Sequence, residues 1–394
     1  MIIDTKKNAK WIEDIDLLAL ELPKRHKNLF FNKGEANFYR DIEQLKSNID
    51  YFDDYEIRVQ LAKIVADIGD AHTSISLPVN LLCPIELYWF SDGIYVISTL
   101  PEYEEIQYCK ITHVNDIPID EIISEISSIV SYENQSLLKS QLPKYLPAIE
   151  LLYGLEIVDE IDKLELIFED KNRNEKKLAI KTLPIKEAKK ELMLNNYKNN
   201  RAMELPLYRK NSEKYYWFEY IGNLKIVYFK YNACRNMEDK SVREFGEELI
   251  KFINENDVEK LIIDLRNNFG GNSTLLEPFI DSVIKCEKIN KKGHLFVIVG
   301  RQTFSSAMLN IFYLKETTNA IFLGEPTGGK PNCYGEVERF NLKNSRLLVC
   351  YSTKYYSIIE DDDLETFIPD ITFELTIANY EGNEDPCVEY IIGD

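Results

Sequence analysis

Three times in the second half of the chain a short apolar run breaks into a polar turn and then into a helix. Leu295 to Val299, LFVIV, reads as a buried strand, Gly300 to Phe304 as a polar turn, and an apolar-periodic helix starts at Ser305 or Ser306. Leu261 to Leu265 is a similar strand that runs into the glycine pair Gly270-Gly271 and a helix from Ser273 to Ile284. Leu224 to Tyr231 is a strand before a helix over Ser241 to Asn254, which carries Val242, Phe245, Leu249 and Phe252. Strands alternating with helices build βαβ units, so residues 215–394 are expected to form an α/β domain with an at least partly parallel sheet. Another short apolar run, Ile321 to Leu323, ends in Gly324-Glu-Pro-Thr-Gly-Gly-Lys330. Strands around Val337 to Leu342 and Leu347 to Tyr351 then form a hairpin about Lys343-Asn-Ser345.

The first half is organised differently. Residues 1–81 read as a helical segment: Trp11, Ile12, Ile15 and Leu18 fall at helical spacing before Pro23 stops the run. Phe38, Ile42, Leu45 and Ile49 make a second stripe. Ile57, Leu61, Ile64, Val65 and Ile68 make a third, closed by Gly69 as a C-cap. His72 follows in the turn Asp70-Ala-His-Thr73. Residues 82–183 change to short strands with one or two helices, a separate β-rich module that includes a hairpin, Leu164 to Phe168 with Lys177 to Ile180. Residues 184–214 are polar, rich in Asn and Lys, and read as a partly helical linker.

Charge excludes two classes of partner. The 394 residues carry a formal charge of −19 and no basic stripe, which argues against nucleic acid and anionic membrane. Hydrophobic residues make up 45%, enough for real cores, but no apolar run approaches membrane-spanning length. The first eighteen residues, MIIDTKKNAKWIEDIDLL, lack the apolar core and cleavage site of a signal peptide. The seven cysteines are odd in number and contain no CxxC pair, so neither a disulfide framework nor a cysteine zinc site is indicated. A cytoplasmic chain with reduced thiols is the expectation.

Two of the strand-to-helix turns carry chemistry. A serine at such a turn has its hydroxyl at the positive end of a helix, beside backbone N–H groups that lack intrahelical partners. That suits a nucleophile whose attack creates an oxyanion; it equally suits a helix cap, the commoner use. Paired glycines let successive N–H groups point at one anion, though a glycine turn is ordinary between strand and helix. A nucleotide site is disfavoured because neither GxGxxG nor GxxxxGK[ST] is present.

Four stretches together resemble a family. Leu261 to Gly271, Thr303-Phe-Ser-Ser-Ala307 and Gly324 to Lys330 look like the core motifs of the tail-specific, or C-terminal processing, serine peptidases. Asp70-Ala-His72-Thr73 after a helical segment looks like the histidine motif of the tricorn-protease branch. Order and separation match from roughly Glu56 to the C-terminus. The resemblance implies a crotonase/ClpP-like α/β core, an N-terminal helical segment, an inserted PDZ-like module over 82–183, and peptide-bond hydrolysis through an acyl-enzyme. By position, Ser305 matches the nucleophile, Ser306 supplies one oxyanion N–H, and Gly270 or Gly271 the other. Asp264 and Arg266 match positions read as structural, tying the strand end to the glycine turn. No carboxylate-binding glycine loop of the PDZ kind is visible in the module.

The chain carries both of that family's solutions for a general base. Lys330 aligns with the lysine of the Ser-Lys branch and would have to be desolvated to be neutral near pH 7. His72 matches the tricorn-like base and needs no large pKa shift; the lean is to His72. Glu360, Asp361, Asp362 and Asp363 are candidate orienting acids, against the plain alternative of a solvated acidic loop. His26, in a basic loop, His113 and His294 are dispersed and show no metal-ligand spacing, so no metal and no cofactor are expected. The expected activity is that of a serine peptidase acting on peptides or unfolded protein segments. Two alternatives keep the fold: a catalytically silent peptide- or lipophile-binding protein, and an acyl-CoA enzyme, which would have no need of Ser305.

Overall fold

A computed structural model describes residues 5–201, 205–360 and 363–393. The chain clusters into two compact units, one of residues 1–133, 141–202 and 333–356, the other of 134–140, 203–332 and 357–394.

In the second unit, strands Tyr216–Ile221, Ile226–Tyr231, Lys260–Asp264, Leu295–Val299, Ile321–Gly324 and Ile371–Thr372 form one sheet in that spatial order. The first pair is antiparallel and the other four pairings are parallel. Every residue of Leu295–Val299 is buried, because both faces of the sheet are covered. On one face Val227, Phe229, Ile263 and Val297 meet Phe245 and Leu249 of helix Val242–Glu255, Ile280 of Glu277–Lys285 and Ile311 of Ser306–Thr317. On the other, Tyr228, Ile262 and Phe296 meet Cys387, Val388 and Ile391 of the C-terminal helix Pro386–Gly393. The mixed α/β class expected from the alternation is what forms. Helix Val242–Glu255 starts where Ser241 and Glu244 make a reciprocal capping box.

The first unit holds helices Thr5–Arg25, Glu35–Ser47 and Asp54–Ala66, whose stripes Ile15, Leu18, Phe38, Ile42, Ile57 and Leu61 are all buried. Pro23 does not stop the first helix, which continues to Arg25; a proline two residues from the end disrupts only the last turn. Strands Ile85–Phe90, Gly93–Thr99, Lys110–Val114, Lys163–Glu169 and Glu175–Lys181 build an antiparallel sheet. Helix Ile185–Arg201 occupies most of the expected linker and belongs to this unit.

The compact units cut across the sequence divisions at 81, 183 and 214. The hairpin Cys333–Asn341 with Leu348–Tyr356 groups with the N-terminal helices because Ser74–Ile75 pairs antiparallel with Val349 and Cys350. The Lys27 N–H adds a bond to the Ser352 carbonyl at 2.8 Å. Such long-range ladders have no local sequence signal. Among the described residues no helix is long and apolar enough to cross a membrane.

Candidate active site

Strand Lys260–Asp264 delivers the turn Leu265–Gly271, and buried Asn268 organises it. Its amide Nδ2 donates to the Tyr231 carbonyl at 3.0 Å, and its Oδ1 accepts the Gly270 N–H at 2.9 Å. Its own carbonyl accepts the Phe304 N–H at 3.0 Å, which joins this turn to the one before Ser305. Thr303 reinforces the join: its hydroxyl donates to the Leu265 carbonyl at 2.9 Å and accepts the Gly300 N–H at 3.0 Å. Cys234 brackets Gly271 in a parallel bridge, taking the Asn272 N–H on its carbonyl at 2.8 Å and giving its own to Gly270 at 3.0 Å. Burial pushes the Cys234 thiol up to about 11, so it is an inert packing group here.

Ser305 caps helix Ser306–Thr317 with φ 56° and ψ −127°, a region that side chains other than glycine avoid. Gly270 lies directly against it. A Cβ on Gly270 would stand 2.8 Å from the Ser306 nitrogen and 2.9 Å from the Ser305 Cβ. A Cβ on Gly271 would stand 2.3 Å from the Cys234 carbonyl oxygen. Both glycines have positive φ, 98° and 137°. The Ser306 hydroxyl donates to the Gly271 carbonyl at 2.7 Å, holding that peptide plane at the helix start. Among the described residues, the Gly271 and Ser306 N–H groups have no hydrogen-bond acceptor, whereas the Gly270 N–H is taken by Asn268.

The segment before Lys330 runs beside the same turn. The Gly329 N–H donates to the Thr303 carbonyl at 3.0 Å, and a Cβ on Gly329 would stand 3.2 Å from the Phe304 Cα. Asn134, which the sequence does not single out, pins this segment by donating to the Thr327, Gly328 and Glu365 carbonyls. Lys330 itself is half-buried and has no ion-pair partner among the described residues. The second unit thus collects Ser305, Ser306, Gly270, Gly271 and the Lys330 segment. Glu360 and Asp363 are exposed in this unit, and Asp361 and Asp362 lie outside the described residues.

His72 belongs to the first unit, in a turn built on Asp70. The buried Asp70 carboxylate accepts Nε2 of His26 at 2.9 Å, the Thr73 hydroxyl at 2.5 Å, the Ser352 hydroxyl at 2.6 Å and the His72 N–H at 2.9 Å. Burial alone would raise its pKa; the His26 hydrogen bond, the His72 charge and the two hydroxyls bring it below the usual carboxylate range. His26 Nδ1 accepts the Asn28 N–H at 3.0 Å, so the neutral ring carries its proton on Nε2, facing Asp70. The sequence reading sets His26 aside as a basic-loop residue; only the fold brings it under Asp70.

The His72 side chain is 8% exposed. Burial holds its pKa below the ordinary imidazole value, against the opposing pull of Asp70 and of the Tyr334 backbone. Its Nδ1 is 3.9 Å from Asp70 Oδ1, and a Glu133 carboxylate oxygen completes a trio within 4.8 Å. The Ala71 N–H reaches toward Glu133 at 3.4 Å. This trio is the one group among the described residues with three donors close enough to hold a metal ion. Four hydrogen bonds already converge on the Asp70 oxygens, which fits an acid-flanked imidazole better than a coordination shell. Glu133 and Asp70 are acids beside His72 that the sequence reading missed; Asp70 lay in plain view, two residues before the histidine.

The chain shares its fold with solved structures at low sequence identity. It is similar to mature CPAF complexed with lactacystin, at 13% identity over 98% of this chain and 97% of that one, with a TM-score of 0.64. Mature CPAF matches with a TM-score of 0.63, 13% identity and coverage of 98% and 96%. A photosystem II D1 C-terminal processing protease matches more loosely, with a TM-score of 0.42, 12% identity and coverage of 94% and 93%. No curated protein sequence matches the chain. Residues 221–373 match the model of peptidase family S41, the stretch that holds three of the four motifs of the resemblance.

Proposed function

We propose that the chain is a serine peptidase that hydrolyses peptides or unfolded protein segments through an acyl-enzyme on Ser305. In this reading the Ser305 hydroxyl attacks the scissile carbonyl, and His72 accepts its proton and returns it to the leaving amine. The Gly271 and Ser306 N–H groups receive the oxyanion. Gly270 supplies the close approach rather than a donor, since its own N–H is taken. A buried imidazole whose pKa is held down is neutral near pH 7 and ready to act as a base. The α/β unit is proposed to be a crotonase/ClpP-like core, and the antiparallel sheet within 82–183 a PDZ-like module.

One observation carries the reading: Ser305 adopts φ 56°, ψ −127° at a helix start, pressed against a glycine that leaves no room for a side chain. A helix cap needs no such backbone; it takes the ordinary extended conformation, as Ser241 does with φ −73°, ψ 157°. The strain is accounted for if the turn presents a hydroxyl outward beside unpaired N–H groups. The test is covalent labelling with a fluorophosphonate, alongside turnover of an unfolded casein substrate. Wild type should be labelled on Ser305 and should cleave casein, and Ser305→Ala should do neither. A folded wild type that does neither would favour the silent binding protein.

A further inference from the structure

The second unit buries a charge cluster beneath the glycine turn. Lys230, 1% exposed, places Nζ 3.0 Å from Asp264 Oδ1 and donates to Asn267 Oδ1 at 2.7 Å. Asp264 also accepts the Tyr228 hydroxyl at 2.5 Å and the Arg266 backbone N–H at 2.9 Å, and pairs by charge with the Arg266 guanidinium, whose Nε lies 2.9 Å away. Arg266 in turn forks onto both carboxylate oxygens of Asp385, at 3.1 and 2.9 Å, at the start of the C-terminal helix. Two cations and two anions therefore neutralise one another. Buried ion pairs are weak devices for stability alone, because desolvation offsets most of their attraction. What this cluster does have is a directed exit: Asn267 Nδ2 donates to Gln302 Oε1 at 3.1 Å, three residues before Ser305. Lys230, Asn267 and Gln302 thus form one chain of contacts from the sheet to the glycine turn to the serine turn.

We propose that Lys230 is a positioning residue which, through Asn267 and Gln302, sets the distance between the glycine turn and the Ser305 turn. The inference rests on the peptidase reading for its catalytic consequence. Lys230 is suited to this because it projects from strand Ile226–Tyr231, a rigid inner strand, and its Nζ cannot swing while Asp264 holds it. Asn267 receives a charge-assisted hydrogen bond on its oxygen, which fixes which way its amide faces and aims its Nδ2 at Gln302. Phe304 N–H to Asn268 and Thr303 to Leu265 join the same two turns through the backbone. The side-chain chain adds a third tie, on the solvent side, where Asn267 and Gln302 are half-buried.

Gln302→Ala breaks the chain without touching a buried charge, and Asn267→Ala breaks it while leaving the Lys230 ammonium paired with Asp264. Each should lower kcat by about 10-fold or more, since an ångström of misplacement costs up to about 100-fold, and should leave KM within about twofold. The double variant should be no worse than the more severe single one, because both remove one tie. Lys230→Met should fall in the same way; should it fail to fold, the two half-buried variants decide. Wild-type kcat in either single variant, losses that multiply in the double, or a rise in KM at constant kcat would overturn the proposal. Amide hydrogen exchange reads the coupling without activity. Asn267→Ala should speed exchange in both 267–271 and 302–306, and an effect confined to 267–271 refutes the tie. Absence of wild-type labelling and turnover would instead refute the peptidase reading, with hydrogen exchange still deciding the coupling.

Discussion

Replacing Gly271 with alanine puts a methyl carbon 2.3 Å from the Cys234 carbonyl oxygen and 2.9 Å from its carbonyl carbon. Carbon and oxygen rest at about 3.3 Å or more, so roughly 1 Å has to be found. Cys234 cannot supply it alone, because its N–H and carbonyl are bonded to Gly270 and Asn272 on either side of the mutated residue. The Gly271 peptide must therefore move, and its φ of 137° adds a strain on the order of 1–3 kcal/mol for any residue with a Cβ. Moving that peptide displaces the proposed oxyanion N–H and strains the Ser306 hydroxyl bond to the Gly271 carbonyl. Loss of one such donor costs on the order of 100-fold or more in turnover. Gly271→Ala should then lower kcat about 100-fold with KM little changed, because a ground-state carbonyl makes little use of the donor. Its Tm should fall by several degrees. Gly293→Ala is the control: φ is 81°, but nothing lies within 4 Å of the added methyl. It should lose stability from strain alone and keep full turnover. Gly271→Ala with wild-type turnover on casein, in a folded protein, would refute the reasoning.

Other outcomes follow from single groups. Ser305→Gly should be inactive yet more stable than wild type by about 1 kcal/mol, since glycine adopts the Ser305 backbone without strain; an unchanged or lower Tm would remove the strain argument. His72 has a lowered folded pKa, so the acid limb of kcat/KM should lie below the free imidazole value of about 6.5. His72→Ala should cost about 100-fold or more, and Lys330→Ala should be mild; a limb above 7 carried by Lys330 would reverse the assignment. Asp264 is held at about 2: burial would raise it, and the Arg266 and Lys230 charges bring it down. A depressed carboxylate contributes stability above its unfolded value of about 3.8, lost as pH falls toward 2. Urea titrations between pH 5 and 2 should show roughly 2 kcal/mol of that slope vanish in Asp264→Asn. His26→Ala leaves the buried Asp70 short of one donor and should destabilise by about 1–3 kcal/mol, which chemical unfolding at pH 7 would read.

What the sequence revealed follows the range of the forces involved. Strand Leu295–Val299, the Ser305 turn, the glycine pair and helix Val242–Glu255 are local patterns of apolar period, turn chemistry and capping, and all were legible. The choice between Gly270 and Gly271 as donor was not legible, because it depends on where the Asn268 side chain turns. His26 looked like part of a basic loop, since its role depends on Asp70, 44 residues away. The hairpin Cys333–Tyr356 was found as a hairpin but assigned to the wrong neighbours, because its partner strand Ser74–Ile75 is two residues long and has no pattern of its own. Asn134 gave no sequence signal: a lone asparagine before a helix reads as a cap, and it does accept the Leu137 N–H at 2.9 Å while holding three carbonyls of 327–365.

The two candidate bases face unequal physical demands. A lysine acting as a base near pH 7 must give up its proton about three units below its free value, a cost of about 4–5 kcal/mol. Burial on that scale requires a nearly solvent-free ammonium, and Lys330 is half-buried on a segment held by backbone contacts. An imidazole has no such gap to close. His72 needs only to be neutral, which burial secures, and to gain an acid that stabilises the imidazolium once it takes a proton. Asp70 is committed to four donors and stays ionised, but at 3.9 Å it is too far for a hydrogen bond to the ring. It acts on His72 through the field and through the backbone N–H it holds. Glu133, half-buried and with a carboxylate oxygen within 4.8 Å of both, is the second candidate orienting group. Glu133→Gln should therefore lower kcat while keeping the fold, whereas Asp70→Asn, which disturbs four hydrogen bonds at once, should lower stability as well. Measuring Tm and kcat for both separates an orienting acid from a structural one. A Glu133→Gln enzyme with wild-type kcat would leave Asp70 as the acid acting on His72.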